Sequence, residues 1–398
     1  MQSVSRFCHR ANSCGIFFVV LACFFIPFST SLMGATATLA LVCWVFSGEI
    51  RKLPQLLASQ PAALCAMALF VLLAIGVFYG PTGSDEALSV LKKYRELVYF
   101  VMVLSLFRDN EGAARLAEDA FIVGCVVLMT VSYGIYFEVL PPGKFGHSLV
   151  YHITHSLFMA MLSFWALHRA FASPAAMLPW LGLFMLASAN LFYIAPGRTG
   201  MLLYLTLLAL LLVQRLSWKK WLPAAVLATV AVTAIYVTSG NFSTRVHEAI
   251  EEIRTYQADS SRTSLGMRFD WWRNSLQLIG EKPLLGHGTG SFKTVQEKLI
   301  ENSETQSTDN PHNEYLMLAV QGGLVAMTLF IALLVTQLVA SLRLVPPRRH
   351  LLQGVVVAMA VGCLMNSFLF DSHPGHFFAI VTAVLLVSSP RKNVLSPR

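Results

Sequence analysis

Long apolar runs alternate with short polar connections along this chain. The runs fall at 16–33, 35–48, 61–79, 94–107, 117–137, 154–172, 176–194, 200–214, 221–238, 314–341, 351–369 and 375–389. A helix crossing the hydrocarbon core needs about 20 apolar residues. The pattern therefore predicts an all-α polytopic membrane protein of about 12 transmembrane helices. One polar island, Ser239 to His312, interrupts it. The expected organisation is 1–238 for the first nine helices and 239–312 for one long, mostly helical periplasmic loop. The last three helices and a cytoplasmic tail then occupy 313–398.

The island has its own periodicity. Ser243 to Tyr256 reads as a charged amphipathic helix. Ser264 to Ile279 carries Leu265, Phe269, Trp272, Leu276 and Ile279 at helical spacing, with Gly280 as C-cap and Pro283 blocking continuation. Trp271 and Trp272 are amphipathic rings suited to a membrane interface. Gly286-His287-Gly288-Thr289-Gly290 reads as a tight turn. Ser291 then caps a short helix to Leu299, and Pro311 falls in the first turn of the next membrane helix.

Composition agrees with the pattern. Charged residues make up 13% of the chain, against about 25% in soluble domains. The net charge of +8 sits mainly at the ends of spans, where it reads as an orientation signal, and no basic helix with interleaved aromatics points to nucleic acid. Arg6, Arg10, Arg51, Lys52, Arg108, Arg115, Arg169, Arg215, Lys219, Lys220, Arg343, Arg348, Arg349, Arg391, Lys392 and Arg398 fall on one side of the alternating connections. The short connections on the other side hold only Lys92, Lys93, Arg95, Lys144 and Arg198. That asymmetry places both termini in the cytoplasm and the island outside. The N-terminal run reads as a retained signal anchor. The seven cysteines are odd in number, form no CxxC and lie outside the island, which supports neither a disulfide frame nor a thiolate metal site.

Candidate chemistry then concentrates on the outer face. Arg198, in the turn Ala195 to Gly200, is either a snorkelling anchor or a cation facing a bound anion. Arg268 is either a solvated side chain or a guanidinium whose planar fork meets a phosphate. His312, at the start of an apolar run, is a structural histidine or a base for a hydroxyl. Glu314 orients it or complements the helix N-terminus. Lys92, Lys93 and Arg95, with Asn313 and Glu314, are candidate contacts for a pyrophosphate or a lipid headgroup. Gly286 to Thr294 fails as a phosphate loop, because Phe292 precedes Lys293 and no strand precedes the turn. His152 with His155 and His373 with His376 are i, i+3 pairs, but no third clustered ligand accompanies either, and no DxD occurs. No metal and no cofactor is expected.

Three segments carry a resemblance. They are Met267-Arg268-Phe269-Asp270-Trp271-Trp272, Pro283 to Phe292, and Pro311-His312-Asn313-Glu314-Tyr315-Leu316. Together with the late long loop, they resemble the O-antigen ligase family, which includes lipopolysaccharide ligases, O-antigen polymerases and protein O-oligosaccharyltransferases. The resemblance implies an inner-membrane glycosyltransferase. Its donor would be a glycan on undecaprenyl pyrophosphate, and its acceptor a sugar hydroxyl of lipid A–core. The family's two arginines and histidine fall on Arg198, Arg268 and His312. The resemblance implies metal-independent, inverting transfer, with the arginines on the pyrophosphate and His312 as base. An O-antigen polymerase or protein oligosaccharyltransferase with the same donor remains an alternative, as does a non-enzymatic transporter of lipid-linked sugars.

Overall fold

The computed structural model describes residues 2–108, 110–259 and 262–387. Arg391, Lys392 and Arg398 lie outside the described residues, as does the end of the last apolar run. Helices account for nearly all regular structure, and no strand occurs among the described residues.

Seven helices are long and apolar enough to cross a membrane, and eight if the bent pair Thr30–Phe46 and Glu49–Ser59 is one span. The expected dozen is therefore not reached by length and composition. The shortfall has a physical reason: several apolar runs form short helices, namely Pro61–Gly76, Glu96–Leu106 and Ser372–Leu386. Pro61–Gly76 has 16 residues. At 1.5 Å per residue it is about 24 Å long, less than the hydrocarbon thickness of about 30 Å. The run 16–33 is also broken. The first helix ends at Phe25, Pro27 stops continuation, and Ser29 Oγ accepts the amide of Leu32 to start the next helix.

The bundle buries a continuous apolar core in which Trp165, Phe121, Phe158, Phe377 and Tyr99 are almost fully enclosed. Pro61–Gly76 packs on Glu314–Ser341, and Arg198–Arg215 packs on His152–Ala172 and Arg348–Met365. These two groups of helices carry the island between them.

The island forms three helices close to the expected ranges: Gly240–Arg254, Ser264–Glu281 and Phe292–Leu299. Several local expectations change. Gly280 lies inside the second helix, and Lys282 takes the C-cap position. That helix does not bury its apolar stripe. Its inward face is Gly266, Asp270, Trp271, Asn274, Ser275 and Leu278, whereas Leu276 is exposed. The reason is a polar clamp: Asp270 accepts hydrogen bonds from the Tyr256 hydroxyl at 2.8 Å and the Asp259 amide at 3.0 Å. Trp271 and Trp272 are likewise clamps within the island, donating from Nε1 to the carbonyls of Gln306 and Pro311. Ser291 does occupy the N-cap of the third helix, but its hydroxyl donates back to the Gly288 carbonyl. Pro311 precedes the next helix, whose N-cap is Asn313.

The tight turn is the main attachment of the island to the bundle. Glu314–Ser341 is broken at Gly323, where φ is 71°. The chain from Pro283 to Gly290 fills that break. The amides of His287 and Gly288 donate to the carbonyls of Val320 and Gln321, and the amide of Leu324 donates to the carbonyl of Pro283. Thr289 donates to the carbonyl of Gly76, over the end of the short helix. Backbone groups freed by a broken span need partners in a membrane, and the turn supplies them. A Cβ on Gly323 would lie only 1.9 Å from the Leu284 carbonyl oxygen, so this position admits no side chain.

Candidate functional site

The first island helix, the second island helix and the N-terminal end of Arg198–Arg215 line a cavity of about 790 Å³. Arg198 and Arg268 both line it, with Tyr151, His152, Arg245 and Glu252. The two arginines thus come together, although 70 residues separate them in sequence.

Local structure explains each position. Ala195-Pro196-Gly197 is an extended linker after a π-helical turn at Asn190–Ile194, so Arg198 becomes the first residue of its helix. Glycines at 197 and 200 allow close approach, because a Cβ at either position would collide with Ser156. Arg198 is held by the island. Its Nη2 donates to Glu248 at 2.9 Å and to Glu252 at 2.7 Å. Those carboxylates stand one turn apart on the first island helix, and Glu252 also accepts the amide of Leu265 at 2.8 Å, joining the first two island helices. Arg268 is half-buried and donates to Asn366 Oδ1 at 3.4 Å. Burial, and next the positive charge of Arg198, lower its pKa.

His312 does not line the cavity but stands close to it electrostatically. Its φ is 53°, an uncommon left-handed conformation for a residue with a side chain. The conformation is held by its amide, which donates to Asn310 Oδ1 at 2.8 Å, and by the Trp271 ring, whose centroid lies 5.5 Å away. Burial is the main influence on the imidazole and the Arg268 charge the next; together they bring its pKa down to about 4, against a smaller opposing effect of Asp309. The ring is therefore neutral across the physiological range.

The sequence did not point to the dipeptide that ties these parts together. Asn366 accepts from Arg268 and donates from Nδ2 to Thr199 Oγ1 at 2.9 Å. Ser367 donates to Asn310 Oδ1 at 2.6 Å, the same oxygen that receives the His312 amide. Asn366 and Ser367 are almost fully buried. Two adjacent residues thus touch the neighbour of Arg198, the side chain of Arg268 and the support of His312. An Asn-Ser pair inside the apolar run 351–369 was the available signal.

The remaining candidates are dispersed. Asn313 accepts the Leu316 amide as N-cap and donates to the Leu364 carbonyl. Glu314 is fully buried and accepts from the amides of Leu369 and Phe370 and from the Tyr94 hydroxyl, a tie between helices. Arg95 donates to the Lys92 carbonyl, Lys92 is exposed, and Lys93 lies over the Phe370 ring at 3.7 Å. None of these five lines the large cavity. His155 is engaged with Ser148 and Asn190, while His373 and His376 contact the carbonyls of Ile26 and Ser372. Among the described residues no three His, Cys, Asp or Glu side chains converge as a metal site would require.

Residues 183–331 match the family model described as O-antigen ligase. The matched segment, less than half of the chain, is similar to that family. Arg198, Arg268 and His312 all lie within it, as do the cavity's two Arg198-binding carboxylates. Over 147 residues the chain is also 29% identical to an uncharacterized protein of Haemophilus influenzae (strain ATCC 51907 / DSM 11121 / KW20 / Rd). That similarity covers 35% of this chain and spans 37% of the relative's length. The apolar helices support a multi-pass membrane protein.

Proposed function

We propose that this protein is an inner-membrane, metal-independent glycosyltransferase that moves O-antigen glycan from undecaprenyl pyrophosphate to a sugar hydroxyl of lipid A–core. Both termini are then cytoplasmic, and the island faces the periplasm. The observation that carries the reading is the sharing of one cavity by Arg198 and Arg268, with neutral His312 beside Arg268.

The chemistry follows from those groups. Pyrophosphate is already a good leaving group, so no nucleotide is consumed. As the bond between the anomeric carbon and the phosphate oxygen lengthens, negative charge collects on the pyrophosphate. Two preorganised guanidiniums stabilise that charge more in the transition state than in the ground state. The acceptor oxygen attacks the opposite face of the anomeric carbon, and His312 takes its proton. One C–O bond forms, one breaks, the anomeric configuration inverts, and undecaprenyl pyrophosphate departs. An imidazole with a pKa near 4 is a weak base in the resting protein. Bound pyrophosphate would neutralise the Arg268 charge and strengthen it, which couples donor binding to base strength.

The test is reconstitution of the purified protein in proteoliposomes with undecaprenyl-pyrophosphate glycan and a chelator. Rough lipopolysaccharide, free glycan and an acceptor peptide compete in one reaction. Extension of rough lipopolysaccharide supports the ligase. Extension of free glycan or of peptide replaces it by the polymerase or the protein oligosaccharyltransferase, and glycan-lipid translocation without transfer replaces it by a transporter.

A further inference from the structure

The large cavity has an aromatic edge that pyrophosphate chemistry alone does not use. Tyr151 and His152 both line it, where the helix His152–Ala172 begins. Their rings meet with centroids 4.2 Å apart and planes tilted by 46°. The Phe145 ring also meets Tyr151, edge-on at 6.3 Å. Tyr151 is nevertheless 53% exposed. Among the described residues neither its hydroxyl nor the His152 ring makes a hydrogen bond.

This edge lies against the arginines. A Cβ on Gly197 would come within 2.9 Å of the His152 carbonyl oxygen, so the residue before Arg198 is pressed on the start of that helix. The charges of Arg245, Arg268 and Arg198 all act on the His152 ring, and Tyr151 in turn acts on Arg268. Aliphatic lining continues along the helix that Arg198 begins, through Met201, Leu202 and Leu205. Two kinds of surface thus adjoin the arginines: aliphatic side chains, and a pair of rings with free polar atoms.

Those surfaces differ in what they can hold. A glycan on a lipid pyrophosphate has a hydrocarbon chain on one phosphate and a sugar on the other. The hydrocarbon needs only aliphatic contact. A pyranose has two aspects, C–H bonds across its ring face and hydroxyls around its rim. The C–H bonds carry partial positive charge and meet the negative face of an aromatic ring, while the hydroxyls need donors or acceptors such as a ring nitrogen. An interfacial anchor would present its ring to lipid headgroups, whereas Tyr151 lines the cavity that holds the arginines.

We propose that Tyr151, braced by His152, is the stacking platform for the sugar joined directly to the donor's pyrophosphate. The assignment rests on the transferase reading for the class of donor. One C–H face of the pyranose lies on the Tyr151 ring, and the His152 ring nitrogen meets a hydroxyl at its rim. The first sugar is then oriented beside the arginines before the acceptor attacks. Tyr151 binds substrate and takes no part in proton transfer.

The experiment compares two ligands on the full chain in nanodiscs by microscale thermophoresis: undecaprenyl pyrophosphate, and undecaprenyl pyrophosphate carrying one glucose. In the unaltered protein the glucose should tighten binding about three- to tenfold, the scale of one aromatic contact. Tyr151→Leu is apolar but has no π face, and it should lose that margin. Tyr151→Phe should keep it. Both variants should bind the sugar-free lipid as the unaltered protein does. Absence of a glucose margin in the unaltered protein overturns the proposal, and so do equal affinities of the two variants for the glucosylated lipid. An equal loss of affinity for the sugar-free lipid also overturns it, since Tyr151 would then serve the pyrophosphate or the packing. Should Tyr151→Leu not fold, Tyr151→Gln carries the same comparison. Transfer is assayed separately: if the unaltered protein transfers to no acceptor, the transferase reading fails, while the glucose margin still decides the platform.

Discussion

Arg198 gives one guanidinium nitrogen, Nη2, to two carboxylates, Glu248 at 2.9 Å and Glu252 at 2.7 Å. The cation assigned to the donor's pyrophosphate is therefore already held by the first island helix. Two carboxylates on that nitrogen take its N–H donors and offset its charge, so they compete with phosphate oxygens for this guanidinium, while Nε has no partner.

Removing the competitor should tighten donor binding. Glu252→Gln keeps an acceptor oxygen for the Leu265 amide but removes the charge. The donor KM should fall about three- to fivefold, the scale expected for a partly exposed ion pair. The measurement is initial transfer rate against donor concentration at saturating acceptor. A higher donor KM would mean that Glu252 holds Arg198 in its working position.

The acidity of His312 gives a pH prediction. Its neutral form is the active one, and its pKa is lowered to about 4 by burial and by Arg268. Lowering the pKa extends the neutral form to more acidic pH. The acidic limb of kcat/KM, which reports the free protein, should fall near pH 4 rather than near 6.5. The limb of kcat should lie at higher pH, since bound pyrophosphate offsets the Arg268 charge. Superimposable limbs near 6.5 would remove the proposed coupling.

Asn366 is a positioning residue, and its test must separate geometry from folding. Asn366→Ala removes contacts to both Arg268 and Thr199. It should lower kcat by at least about tenfold, equivalent to about 1.4 kcal/mol of barrier. Asn366→Gln, which keeps the amide, should recover part of that loss. Equal loss in melting temperature and in kcat, with no recovery, would make it a packing residue only.

Arg268→Lys keeps the charge and loses the planar fork. Transfer should fall by at least about tenfold, since a hydrogen bond to a charged group contributes about 1.5–3 kcal/mol. The assay is single-turnover transfer in proteoliposomes. Rates equal to those of the unaltered protein would leave Arg268 as a half-buried surface arginine.

Gly323→Ala tests how the island is anchored. With φ 71° and ψ −174° the backbone at Gly323 lies in a region essentially restricted to glycine, which costs another residue about 1–3 kcal/mol before the collision with the Leu284 carbonyl is counted. The variant should show a clear loss of melting temperature or of monodisperse protein in detergent. An unchanged melt would show that the helix breaks for another reason.

Much of this was legible in the sequence because it follows from periodicity. The three island helices came from 3.6-residue spacing and from Pro283, and the large apolar runs came from their length. Periodicity carries no information about partners. It placed Leu276 on a buried stripe, whereas Asp270 faces inward because Tyr256 and Asp259 hydrogen-bond to it. It showed a charged first island helix but not that Glu248 and Glu252 meet Arg198, roughly fifty positions earlier in the chain. Motif resemblance singled out Arg198, Arg268 and His312, whose first two members share a cavity. It was silent on Asn366 and Ser367, whose meaning lies only in what three distant segments bring to them. The small count of full-length spans was hidden too, since an apolar run does not announce that its helix will stop at Gly76 and be completed by a turn from elsewhere.

That completed turn makes the island and its supporting helix a single inherited part. Pro283 to Gly290 lends backbone hydrogen bonds to the break at Gly323 and to the end of the helix at Gly76. An exchange of loops between two related proteins, cut at the two ends of the island, would separate the turn from the broken helix whose amides and carbonyls it meets. Interchange of acceptor preference by recombination should therefore succeed only where the breakpoint lies beyond Gly323, so that loop and broken helix travel together.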